Sequence, residues 1–124
     1  MKVRESAENY LETIYILGLD GTRVRSIDVA NELNYSKPSV SVAIKNLKNS
    51  DYVEIGEDGA IALTKSGRAV AARMYERHIR ISDWLVSLGV DKKTADSDAC
   101  KMEHTMSERS FRAIKRHIAG RDEK

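Results

Sequence analysis

A single cysteine, a single proline and a single phenylalanine leave little room for several kinds of protein. One cysteine, Cys100, can neither close an internal disulfide nor build a zinc ribbon, so it is read as a reduced thiol. No run approaches the roughly 20 apolar residues needed to cross a bilayer. The N-terminal stretch M-K-V-R-E-S-A-E-N-Y lacks the apolar segment of a secretory signal, so the expected compartment is the cytoplasm. A large excess of either charge is missing as well: 21 Lys/Arg face 19 Asp/Glu, a formal net charge of +2. Residues 1–65 carry eight basic against ten acidic side chains, and residues 66–124 carry thirteen against nine. Bulk charge therefore makes no argument for nucleic acid, and any such case rests on a local motif.

What remains is helix-forming sequence in one compact domain or two small modules, with 41% hydrophobic residues to build a core. A first helix is expected from about Ser6 to Leu19, with Leu11, Ile14 and Tyr15 on one face and Asp20-Gly21 ending it. A short second helix, R-S-I-D-V-A-N-E-L, takes Ser26 as its N-cap and turns Ile27, Ala30 and Leu33 inward. In N-Y-S-K-P-S-V-S-V-A-I-K-N-L-K, Ser36 caps a third helix and Pro38 sits in the first turn, where no intrahelical hydrogen bond is lost. Its apolar stripe is Val40, Ala43, Ile44 and Leu47. After Asp51 the period shortens, and Y-V-E-I-G-E-D-G-A-I-A-L-T reads as two strands around a tight turn. Thr64 then caps a long helix, about 65–88, closed by Gly89. Two further helices follow, near 94–105 and 107–118.

Two short helices and a β-hairpin in this order make a winged helix-turn-helix. The second helix of such a pair enters the major groove and offers its N-terminal residues to base edges. Ser36, Lys37, Pro38, Ser39, Ser41, Val42 and Lys45 form the face suited to that role. Glu57 and Asp58 at the hairpin tip make it a poor phosphate binder. A helical hairpin packed on a sheet, with a merely solvated polar face, is the plainer alternative.

In A-C-K-M-E-H-T-M-S, Cys100, Glu103 and His104 occupy positions i, i+3 and i+4, which share a helix face. A sulfur, a carboxylate and an imidazole together suit a transition metal. A small cysteine beside a surface Glu/His pair is the plain alternative. A cysteine nucleophile with His104 as base lacks an oxyanion loop and an orienting third residue, so no enzyme is expected. Oxidation of a low-pKa Cys100 thiolate is a further possibility.

Taken in order, S-A-E-N-Y-L-E-T-I-Y, V-A-N-E-L-N-Y-S-K-P-S-V-S, L-T-K-S-G-R, R-H and A-C-K-M-E-H-T-M-S resemble the diphtheria toxin repressor family of metal-dependent transcriptional regulators. The likeness runs from about Ser6 to Ile118. It implies a mainly α fold: a winged helix-turn-helix with a two-stranded wing over residues 1–64, then a helical metal-binding and dimerisation region over 65–124. It also implies repression when Fe(II) or Mn(II) is bound. Carried over by position, His78, Cys100, Glu103 and His104 match metal ligands, and Glu12 matches an acidic ligand of the manganese branch. Asn9 stands where Met or Asp is usual, and an amide oxygen is a weaker ligand.

Ser82 replaces a common glutamate and Asp96 a histidine of the iron branch, so a second metal site would have to be built differently, from Asp96 or Asp98. The chain stops without the SH3-like domain of the longer iron regulators and in that respect is similar to the short manganese regulators. A thiolate ligand favours Fe(II), with Mn(II) the alternative that Glu12 and the length suggest. One winged helix makes few base contacts, so a homodimer on a near-palindromic operator is expected. Its contacts would come from Trp84, Leu85, Val86, Phe111 and Ile114. A metal-independent winged-helix regulator and a Cys100 redox sensor are the competing functions.

Overall fold

The computed structural model describes residues 3–122, with side-chain surroundings for 5–120. Six helices and one antiparallel strand pair are described: α1 (Val3–Leu17), α2 (Ser26–Leu33), α3 (Lys37–Asn49), β1 (Val53–Ile55), β2 (Ile61–Leu63), α4 (Lys65–Ser87), α5 (Lys92–Thr105) and α6 (Glu108–Asp122). The chain divides into two compact units within α4, one ending at Arg73 and the next starting at Met74. Among the described residues, no helix is long and apolar enough to cross a membrane.

In the first unit, Leu11 and Ile14 of α1, Val29 and Ala30 of α2, and Val40, Ile44 and Leu47 of α3 bury one core with Val53 and Ile61 of the hairpin. α1 ends earlier than its apolar pattern suggests. Gly18 and Leu19 bond back to Ile14 and Ile16, and Gly21 takes a φ of 87°. The start of α2 also differs from the sequence expectation: Arg25 is the N-cap and Ser26 already lies inside the helix. The Asp28 carboxylate reaches back to accept the Arg25 N–H at 2.9 Å, which fixes that start. At 100° per residue, Val29, Ala30 and Leu33 define the inward stripe and leave Ile27 off it, 38% exposed. Ile27 is therefore a surface residue, where an inward one was expected.

α3 follows its sequence signals. Ser36 Oγ accepts the Ser39 N–H at 3.3 Å, Pro38 lies in the first turn, and Val40, Ile44 and Leu47 point inward. The hairpin pairs Val53 with Leu63, Glu54 with Ala62 and Ile55 with Ile61. Thr64 Oγ1 accepts the Gly67 N–H at 3.1 Å and starts α4. Gly67 is required there, because a Cβ would stand 2.0 Å from the Tyr52 carbonyl oxygen.

In the second unit, Ile81 of α4, Ala99 of α5 and Phe111 of α6 form a small core, flanked by Leu85, Met102 and Met106. Gly89, at φ 102°, closes α4 with its N–H on the Val86 carbonyl. α5 begins at Lys92, two residues before the sequence suggests, because the Asp91 carboxylate caps it through the Thr94 N–H at 3.0 Å. Ser107 Oγ accepts the Ser110 N–H at 3.1 Å and opens α6.

Candidate metal centre and DNA-reading helix

The row Ala95, Ala99, Glu103 faces the interior of the second unit, all three without exposed surface. Two alanines let α5 approach its neighbours closely, and the third member of the row is a carboxylate. The adjacent row at the same spacing is Asp96, Cys100, His104, which runs along the edge of that face. Ligand atoms of Cys100, Glu103 and His104 lie within 4.8 Å of one another. Cys100 is at the surface. One Glu103 oxygen lies 3.2 Å from His104 Nε2, and the other lies 3.1 Å from Nδ1 of His78, on α4. A fully buried carboxylate thus faces two imidazoles, with a thiol in reach. That donor set fits a divalent transition metal.

The hydrogen bond to Glu103 holds the His78 imidazole pKa above its ordinary value, against a smaller opposing effect of burial. Asp96 faces His78 from the other side, at 3.8 Å from Nε2. Its carboxylate is already engaged: Ser82 Oγ donates to Oδ1 at 2.5 Å and the Lys92 ammonium at 2.9 Å. The Ser82 bond is the main reason its pKa is lowered. The exposed ammonium of Lys92, from the same chain, therefore already stands on the carboxylate that a second cation would need, while Asp98 is exposed. The family resemblance draws attention to Ser82 and Asp96 but not to Lys92. An i, i+4 Lys–Asp pair was the available signal.

On α1, Glu12 is buried, and Asn9 is half-buried with its backbone carbonyl accepting Thr13 Oγ1 at 2.8 Å. Glu8, also buried, lies 3.9 Å from Arg73. On α3, Lys37, Pro38, Ser39, Ser41, Val42 and Lys45 are all exposed, as is the capping Ser36, and Val42 reaches 60%. They are the face left over once the apolar stripe is buried.

Residues 2–61 match the family described as iron dependent repressor, N-terminal DNA binding domain, and residues 64–123 match iron dependent repressor, metal binding and dimerisation domain. The chain belongs to the iron-dependent repressor family. This is a family of metal-dependent transcriptional repressors. Its similarity to individual proteins agrees. An uncharacterized HTH-type transcriptional regulator of Methanocaldococcus jannaschii is 34% identical over 113 residues, spanning 90% of both chains. The transcriptional regulator MntR of Salmonella typhimurium is 31% identical over 90% of this chain and 71% of its own. The solved structure of a manganese-dependent transcriptional repressor in complex with manganese superposes with a TM-score of 0.84 at 28% identity. It covers 91% of this chain, which spans about half (52%) of that structure.

In this repressor-family chain the wing tip is acidic but not idle. Asp58 pairs closely with Arg23, and Arg25 Nε donates to the Asp58 carbonyl at 3.1 Å. Ala60 N–H on Asp58 Oδ1, at 3.1 Å, is the main cause of its lowered pKa. Of the apolar residues expected at a dimer contact, Phe111 is buried in the core of the second unit and Leu85 packs against it. Trp84 and Ile114 are half-buried and Val86 is 41% exposed. Trp84 meets His117 edge-on at 6.4 Å, and its Nε1–H is buried without a hydrogen-bond partner among the described residues. Leu88, at the end of the apolar pattern of α4, is 55% exposed.

Proposed function

We propose that this repressor-family chain binds operator DNA as a homodimer when a divalent cation is held by His78, Cys100, Glu103 and His104, and so represses genes of metal homeostasis. Glu103 carries the reading: a carboxylate with no exposed surface, between two imidazoles and near a thiol. Such an anion is costly to bury unless positive charge answers it. A divalent cation held by these donors would supply that charge. To hold it, Cys100 would give up its thiol proton, His104 and His78 would serve as neutral imidazoles, and Glu103 would serve as the carboxylate ligand. Glu12 is the acidic ligand assigned to α1, and Asn9 the weaker one.

The soft Cys100 sulfur favours Fe(II), with Mn(II) as the alternative. Residues 1–64 are assigned to DNA reading and 65–124 to sensing and dimerisation. Ser36, Lys37, Pro38, Ser39, Ser41, Val42 and Lys45 form the face toward the major groove. A two-fold dimer reads a near-palindromic operator, with Trp84, Leu85, Val86 and Ile114 among its contacts.

A DNA-binding titration on genomic fragments tests this. It is run anaerobically with chelator, then Fe(II), then Mn(II), and repeated with Cys100→Ala. Binding that appears only with metal and weakens in the variant is expected, and the metal acting at lower free concentration is the effector. Binding indifferent to metal and to the substitution would leave a metal-independent winged-helix regulator.

A further inference from the structure

One buried cation in the second unit has no part in the ligand set. Arg77, the residue before His78 on α4, is 5% exposed. Its Nη1 donates to two backbone carbonyls at the end of α5, Glu103 at 2.9 Å and Met106 at 2.7 Å. Its Nη2 donates to Glu108 Oε2 at 2.8 Å, in the first turn of α6. Its guanidinium also lies over the Phe111 ring, 5.2 Å from the centroid.

The placement is specific. The last four carbonyls of a helix lack intrahelical partners and carry the negative end of its dipole, so a fixed cation there is favoured. Yet the same guanidinium keeps Nε buried without a partner. Packing alone would be served by an apolar side chain of similar volume, and breaking even with a buried charge demands full pairing. What Arg77 adds over such a side chain is direction. Glu103 is held at both ends by consecutive residues: Arg77 binds its backbone carbonyl, and His78 binds its carboxylate. Successive helical residues point about 100° apart, so the two side chains address different parts of one residue.

We propose that Arg77 is a positioning residue for the metal centre. It fixes the last turn of α5 so that Glu103 and His104 already stand in ligating geometry before a cation arrives. This rests on the metal reading given above. Supporting partners of this kind orient ligands, and their loss weakens metal binding by about 10- to 100-fold.

The test is Co(II) binding to the full chain under anaerobic conditions. Thiolate-to-cobalt absorption reports Cys100 ligation, and competition with a chelator of known affinity gives Kd. Arg77→Met keeps volume and removes the charge and its three donated bonds. Its expected Kd is raised about tenfold or more, with helical circular dichroism retained. An unchanged Kd alongside a lower unfolding temperature in chelator would make Arg77 a structural brace and overturn the proposal. Should Arg77→Met not fold, Glu108→Gln loosens the same clamp from a half-exposed site. A rise in Kd toward the lower end of the same range, about tenfold, is expected there, and wild-type affinity overturns the proposal. Absence of Co(II) binding by the wild-type chain removes the metal reading itself, and this inference with it.

Discussion

Glu108 and Gly67 show how single residues here depend on partners far along the chain. The Arg77 hydrogen bond, more than any other contact, lowers the Glu108 carboxyl below its ordinary value of 4.5. A carboxylate whose folded pKa is depressed stabilises the fold above its unfolded pKa, and that contribution disappears as pH falls through the lower folded value. Urea unfolding of the wild type should therefore lose stability below pH about 4.5, and Glu108→Gln should lose less over the same range. Half exposure keeps the effect small. An equal acid-side slope in both proteins would show that the pair contributes nothing. Gly67 makes a harder demand, because the Tyr52 carbonyl stands 2.0 Å from where a Cβ would be. Backbone atoms cannot move aside as a flexible side chain does. Gly67→Ala should cost about 1–3 kcal/mol or more in urea unfolding, although alanine normally favours a helix over glycine.

At the scale of the element, what was legible in the sequence is what neighbours in sequence decide. Ser36, Pro38 and the Val40–Ile44–Leu47 stripe specify α3 within a dozen residues, and start, phase and exposed face all follow. Ser36→Ala should accordingly destabilise by about 1 kcal/mol. It should also weaken DNA binding, since Ser36 Oγ is bonded to Ser39 Oγ at 2.8 Å on the face proposed to read DNA. Equal unfolding midpoints for variant and wild type would remove the cap from the account. α2 was misphased because its start is set by Asp28 reaching back to Arg25, a capping pattern that Ser26 obscured. The Cys100–Glu103–His104 grouping was legible from helical spacing alone. The pairings of Arg77 and Asp58 were not, because their partners lie 26 to 35 residues away and only the tertiary fold brings them together. Lys92 on Asp96 was local enough to find, yet an exposed i, i+4 pair looks like any other solvated helix surface.

For the whole molecule, a net charge of +2 conceals the distribution that matters for DNA. The residues before the long helix are slightly acidic, yet between Asn34 and Ser50 there are three lysines and no acidic side chain. Lys37 and Lys45 lie on the exposed face of α3 without a counter-ion among the described residues, whereas Arg23 is already paired with Asp58. Phosphate contacts release condensed counter-ions, so each one steepens the fall of log K with log salt by about 0.9. Replacing both Lys37 and Lys45 with glutamine should flatten that slope by about 2 per protomer and weaken binding at all sequences alike. Arg23→Gln should change the slope less, because Asp58 neutralises that charge before DNA arrives. Measuring metal-activated binding over a salt series for these variants separates two pictures of the surface. A larger effect at Arg23 than at the two lysines would mean that the wing releases its arginine to the backbone, and that α3 is not the main electrostatic contact.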